Sequence, residues 1–431
     1  MVNLAETRSS FAIALLLLIA PGLSIGAAPN APWPTFRGPE RTAVAPDTGL
    51  LQQWPEGGPR LVWQSQGAGR GYSSLAIAGN RIFTLGDSPS SGQDKDEYLL
   101  AFDQKDGKPA WGTKVGPAWN DGPADWQSSR ATPTVDGDRV YVITPHGELV
   151  ACRSANGKEL WRKNLMRDFG GTKGDSWGYS ESVLIDDDRL VCTPGGEKAT
   201  MVALNKLTGK LVWKAVRPSD QGAGHASIVV ATVGGTRVYV NTTSSGAMGV
   251  RANDGKLLWT YDASATAIIP TPIVRDDLVF FSAGYGCGGA LLRQIPSGKG
   301  DVTIEEVYPL KQELGTKHGG VVLVGDYLYG DTEDSGVPWC AELLTGKIQW
   351  KQRGPGRGSV SVAAADGCIY FHYSDGTMAL AKATPDGYHE LGKFKAPGAG
   401  ERPSWSHPAI ADGKLYLREG DVLLCYDLKA R

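Results

Sequence analysis

One eight-residue phrase recurs along the chain, and this repetition limits the possible folds more than any other feature. Five copies end in tryptophan and read QKDGKPAW, SANGKELW, KLTGKLVW, ANDGKLLW and LLTGKIQW. Two degenerate copies fill the remaining gaps, and an LVW segment precedes the first full copy. The eight closing aromatic residues, spaced 42 to 52 positions apart, are Trp63, Trp111, Trp161, Trp213, Trp259, Tyr308, Trp350 and Phe394. A period of this size is typical of propellers, solenoids and other repeat folds.

Each repeat has the pattern of four short strands joined by tight turns. Apolar runs such as RVYVIT (139–144) and ELVAC (148–152) are rich in the residues that strands prefer. Asp-Gly pairs supply turn residues between such runs, at 106–107, 136–137, 254–255, 366–367, 386–387 and 412–413. We therefore predict an all-β fold, an eight-bladed β-propeller of four-stranded antiparallel blades. The eight closing aromatic residues are the predicted structural anchors of these blades.

The two ends of the chain are predicted to complete one blade between them. The last repeat, which begins at Trp405, ends before its closing aromatic residue, and no strands precede Trp63. Pairing of the strand around residues 61–63 with the C-terminal blade would close the ring. A closed ring hides most strand edges, which otherwise template association with other chains.

The N-terminal segment is predicted to direct export. Residues 11–20 form a short apolar run, with Arg8 before it and small residues at 26–28 after it. This is the pattern of a secretory signal peptide, and Pro21 interrupts the run before it is long enough to span a bilayer. An uncleaved anchor is the alternative. We expect a cleaved signal peptide at residues 1–28, an N-terminal extension at 29–49 and the propeller at 50–431, in a periplasmic or secreted protein.

Charge and hydropathy argue against two classes of partner. The chain has 44 basic and 46 acidic residues, and the basic stripe of a nucleic-acid-binding protein is missing. No segment after the N-terminal one is long and apolar enough to span a bilayer. We predict no nucleic-acid partner, no integral membrane segment and a monomeric mature protein.

The six cysteines do not suggest a metal or redox site. They lie far apart, and no two have the C-x-x-C spacing of such sites. Cys152 occupies the repeat position that Phe102 and Leu204 hold in neighbouring repeats. It is therefore predicted to be a small buried hydrophobic residue.

The recurring phrase resembles the pyrroloquinoline-quinone-type repeat. This repeat builds the quinoprotein dehydrogenases and the propeller lipoprotein of the outer-membrane β-barrel assembly machinery, and the resemblance covers about residues 50–431. Residues 33–63 are also similar to exported bacterial proteins of this repeat family. In the family's enzymes, the quinone and a calcium ion lie on the propeller axis. The resemblance implies an aromatic floor beneath the quinone, carboxylates on the metal, an aspartate base and, in many members, a disulfide between neighbouring cysteines.

The sequence departs from the pattern of those enzymes. No two cysteines are adjacent, the long inserted loops are missing, and the acidic run at 186–188 lies where a solvated hairpin turn is predicted. We therefore predict a non-catalytic binding or scaffold platform without a metal or cofactor, whose partner is an envelope protein segment or a small polar ligand. The alternative is an oxidoreductase that uses pyrroloquinoline quinone and calcium on alcohols or sugars. A third reading is carbohydrate binding by aromatic side chains.

The candidate binding residues lie in the segments that lead into each blade's first strand. Innermost strands line the central channel, so these segments are expected to converge at one mouth, where a polar small molecule or a peptide could bind. Alternatively, they pack turns, with serine and threonine capping backbone groups. Metal binding by the three histidines is left open, because they come from different blades. The candidates are Tyr72, Arg130, Trp177, Tyr179, Glu181, His225, His318, Arg357, Trp405 and His407.

Overall fold

The computed structural model describes Met1 and residues 32–87, 96–400 and 402–430. The described strands form eight sheets of four antiparallel strands each; in seven sheets the four strands are consecutive, and one of these seven carries a fifth strand at its inner edge. This is the predicted eight-bladed propeller. The predicted signal peptide lies almost entirely outside the described residues. Among the described residues, no helix has the length and apolar character needed to cross a bilayer.

The strands follow the repeat in chain order. Two short ones come first, β1 (Val44–Ala45) and β2 (Leu61–Ser65). Blade 1 contains β3 (Ala76–Ala78), β4 (Arg81–Asp87), β5 (Asp96–Asp103) and β6 (Pro109–Pro117), and blade 2 contains β7 (Thr134–Asp136), β8 (Arg139–Ile143), β9 (Glu148–Arg153) and β10 (Glu159–Asn164). Blade 3 contains β11 (Leu184–Asp186), β12 (Arg189–Cys192), β13 (Met201–Asn205) and β14 (Leu211–Ala215), and blade 4 contains β15 (Val229–Val233), β16 (Thr236–Thr243), β17 (Gly246–Arg251) and β18 (Leu257–Asp262).

The second half repeats the pattern. Blade 5 contains β19 (Ile273–Arg275), β20 (Leu278–Ala283), β21 (Gly288–Ser297) and β22 (Asp301–Lys311), and blade 6 contains β23 (Val322–Val324), β24 (Tyr327–Asp331), β25 (Pro338–Glu342) and β26 (Ile348–Lys351). Blade 7 contains β27 (Val360–Ala365), β28 (Cys368–Tyr373), β29 (Thr377–Lys382) and β30 (Glu390–Lys395), and blade 8 contains β31 (Ala409–Ala411), β32 (Lys414–Glu419) and β33 (Val422–Asp427). The described helices are short: α1 (Leu165–Phe169) and three 3₁₀ turns at Ala124–Trp126, Gln312–Leu314 and Glu333–Ser335.

Blade 8 is built from both ends of the chain, as the sequence predicts. Strand β2 pairs antiparallel with β33, and Trp63 lies opposite Cys425. The first aromatic anchor therefore occupies the outer strand of the last blade.

The aromatic anchors explain why the phrase recurs. The indole N–H of Trp111 donates to the backbone oxygen of Ser154 over 3.2 Å, and that of Trp161 donates to the oxygen of Lys206 over 3.0 Å. Each acceptor is the first residue of the next copy of the phrase. The phrase glycine then lies against the same ring; the positive φ values of Gly157 (71°) and Gly209 (67°) suit glycine. Each copy of the phrase therefore binds the tryptophan that closes the preceding copy, through a hydrogen bond and a glycine contact.

Replacing Gly209 by alanine is expected to cost about 2 kcal/mol of unfolding free energy, more than the same change at Gly137. Both glycines have positive φ, but a Cβ at Gly209 would lie 2.8 Å from the Trp161 ring, whereas nothing lies within 4 Å of one at Gly137. Urea titration of both variants separates ring contact from backbone strain. Equal losses would show that the glycine–tryptophan contact does not stabilise the blade interface.

An N-terminal strap (residues 33–45) lies across the propeller axis. Its Arg41 side chain donates to the backbone oxygen of Val183 over 2.9 Å in blade 3, while the Ala43 oxygen accepts from Ala364 in blade 7. In a ring of eight, blades 3 and 7 are opposite each other. The strap ends as β1, which pairs parallel with β27. The sequence predicts only an extension before residue 50; in the structure, the strap crosses the ring from blade 3 to blade 7.

The cysteines are free thiols, and Cys152 is buried as predicted. It lies opposite Val140 in the same way that Phe102 lies opposite Ile82 and Leu204 opposite Leu190. Burial raises the pKa of the Cys152 thiol to about 12, so the thiol is neutral at physiological pH. Its role is packing.

Candidate functional site

A chain of hydroxyl groups joins neighbouring blades just before their innermost strands. The backbone N–H of Thr132 donates to Ser182 Oγ over 3.0 Å, and the N–H of Ser182 donates to Ser227 Oγ over 3.0 Å. The same bond recurs from Ser74 to Thr132, from Ser227 to Thr271 and from His407 to Ser74. Backbone capping, the structural alternative considered from the sequence, is therefore the role of these hydroxyls.

The side chains two residues before each capping hydroxyl face the propeller axis. Alternate side chains of an extended segment point in opposite directions, so a residue two positions before the capping hydroxyl points the same way as it does. Together with loop residues, they enclose a mouth pocket with a volume of about 460 Å³. In seven of the eight blades, the residue at this repeat position lines the mouth pocket. These residues are Tyr72, Arg130, Ser180, His225, Ile269, His318 and Trp405.

Seven of the ten predicted mouth residues line this pocket: Tyr72, Arg130, Trp177, His225, His318, Trp405 and His407. Tyr179 and Glu181 have the opposite orientation and are buried in blade 3. The Tyr179 hydroxyl donates to the Pro194 oxygen over 2.8 Å, and Glu181 accepts a 2.7 Å hydrogen bond from the N–H of Thr193. Arg357 is exposed and does not line the pocket.

Several lining residues escaped the sequence analysis. Ser180 lies between the candidates Tyr179 and Glu181 but was not among the predicted residues, and neither was Ile269, an apolar residue in the segment leading into blade 5. Because side chains alternate in direction along an extended segment, the position of the capping hydroxyl indicates that Ser180 faces the pocket and that Tyr179 does not. The register of the capping hydroxyls could therefore have identified Ser180 from the sequence. Phe36 and Arg37, on the strap, form part of the pocket wall. Nothing in the sequence indicated that the strap reaches the mouth.

Aromatic rings form much of the pocket wall. The His318 ring stacks on Trp405 with centroids 4.4 Å apart, and Tyr72 lies 4.8 Å from Trp405. Phe36 meets the His407 ring edge-on at 4.8 Å. Flat rings at several angles suit a ligand that presents its own flat group.

The pocket also carries positive charge without a carboxylate partner. Arg130 donates to the backbone oxygens of Ser128 and Trp177, each over 3.2 Å, and forms no ion pair with a described residue. Burial lowers its pKa to about 10, so it stays charged at neutral pH. Lys317, in contrast, pairs with Asp334 over 2.7 Å. Arg130 therefore favours an anionic group in the pocket.

His225, on the pocket wall, hydrogen-bonds to both a serine and an aspartate. Its Nδ1 hydrogen-bonds to Ser180 Oγ, and its Nε2 lies 2.8 Å from Asp175 Oδ2. Burial, with the charge of Lys173, lowers the pKa of His225 to about 4. Burial acts to raise the pKa of Asp175, but the hydrogen bond and charge of His225 outweigh it, so the pKa lies far below its usual value. At neutral pH the pair is a neutral imidazole and a carboxylate.

The residues present do not fit a quinone–calcium centre. No group of three or more His, Cys, Asp or Glu side chains in the described part of the chain could hold a metal ion, so the three mouth histidines do not form such a group. Asp334 is the pocket's carboxylate, and Lys317 already pairs with it. The acidic run at 186–188 forms a hairpin turn, but Asp186 is not solvated as expected, because it accepts from Arg237 and Tyr239.

Comparison with known proteins places the chain among quinone-type repeat propellers. A relative named outer membrane protein assembly factor BamB, from Shewanella oneidensis, is 26% identical over 259 residues, which cover 57% of this chain and 60% of the relative. Quinoprotein glucose dehydrogenase A of Acinetobacter calcoaceticus is 26% identical over 200 residues, covering 37% of this chain and 25% of the enzyme. The chain thus spans at most about 60% of the length of either relative.

Solved structures show the same fold. BamB from Moraxella catarrhalis aligns with a TM-score of 0.56 at 15% identity, covering 85% of this chain and 98% of that one. Quinohemoprotein alcohol dehydrogenase from Comamonas testosteroni aligns with a TM-score of 0.61 at 11% identity, covering 94% and 82%. The family model described as outer membrane protein assembly factor BamB matches residues 26–182 and 95–352, more than half of the chain. The resemblance inferred from the repeat phrase is confirmed, and the chain belongs to this BamB-type family of quinone-repeat propellers.

Proposed function

We propose that this protein is exported and acts as a binding platform in the periplasm or cell envelope, holding a segment of another envelope protein in its mouth pocket. The observation that carries the proposal is a pocket walled by aromatic rings beside a cation, with the strap that crosses the ring forming part of its wall. Relatives named as outer membrane assembly factors support this type of work. The export signal at residues 1–28 and the extension at 29–49 are parts of the proposal.

The pocket chemistry defines what the bound segment carries. Trp405 and Tyr72 provide faces and edges against which an aromatic side chain can pack. Arg130 provides a half-buried positive charge for a carboxylate, and charge-assisted bonds of this kind are the stronger hydrogen bonds. The bound segment therefore presents an aromatic side chain next to an acidic one.

Quinone-dependent oxidation is not part of the proposal. A calcium ion needs several oxygen ligands, carboxylates above all, and the described pocket offers only Asp334, which is paired with Lys317. No step of a redox reaction can be assigned to the remaining wall residues.

Selection of displayed random peptides tests this function. The wild-type protein is expected to enrich peptides with an aromatic residue beside an acidic one, and Arg130→Gln to bind them at least about 10-fold more weakly. Arg357→Gln is the matched control, because Arg357 lies outside the pocket. Enrichment of the same peptides by all three proteins, or of none by the wild type, would refute binding at the mouth.

A further inference from the structure

Two serine–histidine pairs occupy equivalent repeat positions at the mouth. Ser180 Oγ hydrogen-bonds to His225 Nδ1 between blades 3 and 4, and Ser359 Oγ lies 3.0 Å from His318 Nδ1 between blades 7 and 6. Each of the four residues occupies the same repeat position, two residues before the position that carries the capping hydroxyl in blades 1 to 5. The two pairs can therefore be compared directly, and any difference between them must come from their surroundings.

Asp175 distinguishes the first pair from the second. Its Oδ2 lies 2.8 Å from His225 Nε2, and both side chains are more than nine-tenths buried. Because a carboxylate can only accept, Nε2 carries the imidazole proton and Nδ1 presents its lone pair to Ser180. The Ser180 hydroxyl therefore donates to His225. No carboxylate of the described residues forms an ion pair with His318, whose ring stacks on Trp405 instead.

The surroundings favour proton transfer from Ser180. Ser180 and His225 both line the pocket, and Ser180 is partly exposed. The imidazole is neutral at physiological pH and can accept a proton, while Asp175 remains charged to balance the imidazolium. Lys173 and Arg130 add positive charge near His225. Positive charge near a reacting carbonyl stabilises the negative oxygen that forms on it.

We propose that Ser180 is a nucleophile that cleaves carboxylic esters carrying a flat aromatic group, with His225 as general base and Asp175 as the residue that orients it. This activity goes beyond the proposed function and shares only its pocket. The aromatic wall formed by Trp177, Trp405 and Tyr72 gives the ester's flat group a place to pack.

The reaction is a balanced hydrolysis. Ser180 Oγ attacks the ester carbonyl carbon, and the hydroxyl proton passes to His225 Nδ1. Collapse of the tetrahedral intermediate breaks the bond to the alcohol oxygen, which leaves with the proton from Nδ1. Water, deprotonated by His225, then attacks the acyl–serine ester. The bond between the acyl carbon and Ser180 Oγ breaks, Oγ takes the proton back from His225, and a carboxylic acid is released.

A fluorophosphonate probe tests the nucleophile directly. We expect the full mature protein to gain one phosphonyl group, with loss of fluoride, and peptide mapping to place it on Ser180. Ser180→Ala should abolish labelling, and Asp175→Asn should slow it by ~100-fold or more. Ser359→Ala is the matched control and should label at the wild-type rate. Hydrolysis of p-nitrophenyl benzoate should follow the same order among the variants.

Two results would overturn the proposal: no labelling of the wild type, or labelling whose rate does not change in Asp175→Asn. Circular dichroism and melting of each variant identify loss of folding, and His225→Gln provides a second, near-isosteric removal of the base. Peptide binding by the Ser180→Ala variant separates the two proposals. If the wild type binds peptides but does not react with the probe, only the nucleophile is refuted.

Discussion

Replacing Arg418 by methionine is expected to lower the free energy of unfolding by about 4 kcal/mol. Arg418 lies on β32 in blade 8 and is only 1% exposed. Its guanidinium donates to the backbone oxygens of Ser73 (3.2 Å) and Ala68 (3.0 Å) and to Thr84 Oγ1 (2.8 Å). These acceptors lie in blade 1 or in the segment leading into it. Removal of the guanidinium would leave them buried and unsatisfied where the last blade meets the first.

Urea unfolding at pH 7, followed by tryptophan fluorescence, measures this loss. Arg60→Met is the control, because Arg60 forms an exposed ion pair with Asp427 in the same blade. Exposed pairs contribute little, so this variant should lose less than about 1 kcal/mol. Similar losses in the two variants would contradict a special role for Arg418 in joining blades 8 and 1.

The ionisation of Glu97 is expected to lower the stability of the fold as the pH rises from about 5 to 8, and Glu97→Gln should remove this contribution. Burial of Glu97 on β5, together with the negative charge of Asp87, raises its pKa from 4.5 to about 8, against the opposing effects of Ser129 and two arginines. The folded state therefore holds a proton that the unfolded state releases. The stabilisation is complete below pH 4.5 and is lost as the pH rises through about 8, at up to about 1.4 kcal/mol per pH unit.

Urea titrations at several pH values test this dependence. Glu97→Gln resembles the protonated acid, so it should match the wild type within about 1 kcal/mol at pH 5 and exceed its stability by about 3 kcal/mol at pH 8. Glu56→Gln, at an exposed position, should keep the wild-type slope. A wild-type stability that rises between pH 5 and 8, with no effect of Glu97→Gln, would show that Glu97 is ionised in the folded protein.

The fold could be predicted because its determinants recur. Trp161 and Gly209 belong to different copies of one phrase, and each copy encodes half of the contact between neighbouring blades. A closing strand could be inferred from a missing aromatic residue, since Trp63 supplies what the last repeat lacks. Such features depend on order along the chain, which sequence shows directly.

The candidate site was harder because it depends on orientation and on non-repeated residues. A one-residue difference in an extended segment separates Ser180, on the pocket wall, from Glu181, inside the blade. Composition alone does not reveal that difference. Asp175 lies in a loop outside the repeat pattern, and its contact with His225 spans 50 positions. The path of the strap, with Arg41 reaching blade 3, has no repeated counterpart from which it could be inferred.

The most direct test of the account is the melting temperature of residues 29–431 with two ligands in turn, a selected aromatic–acidic peptide and pyrroloquinoline quinone with calcium. A ligand that binds only the folded state at 100 times its dissociation constant adds about 2.7 kcal/mol. We expect the peptide to raise the melting temperature of the wild type but not of Arg130→Gln, and the quinone with calcium to leave both unchanged. A rise with quinone and calcium that a chelator reverses, and none with the peptide, would contradict the account.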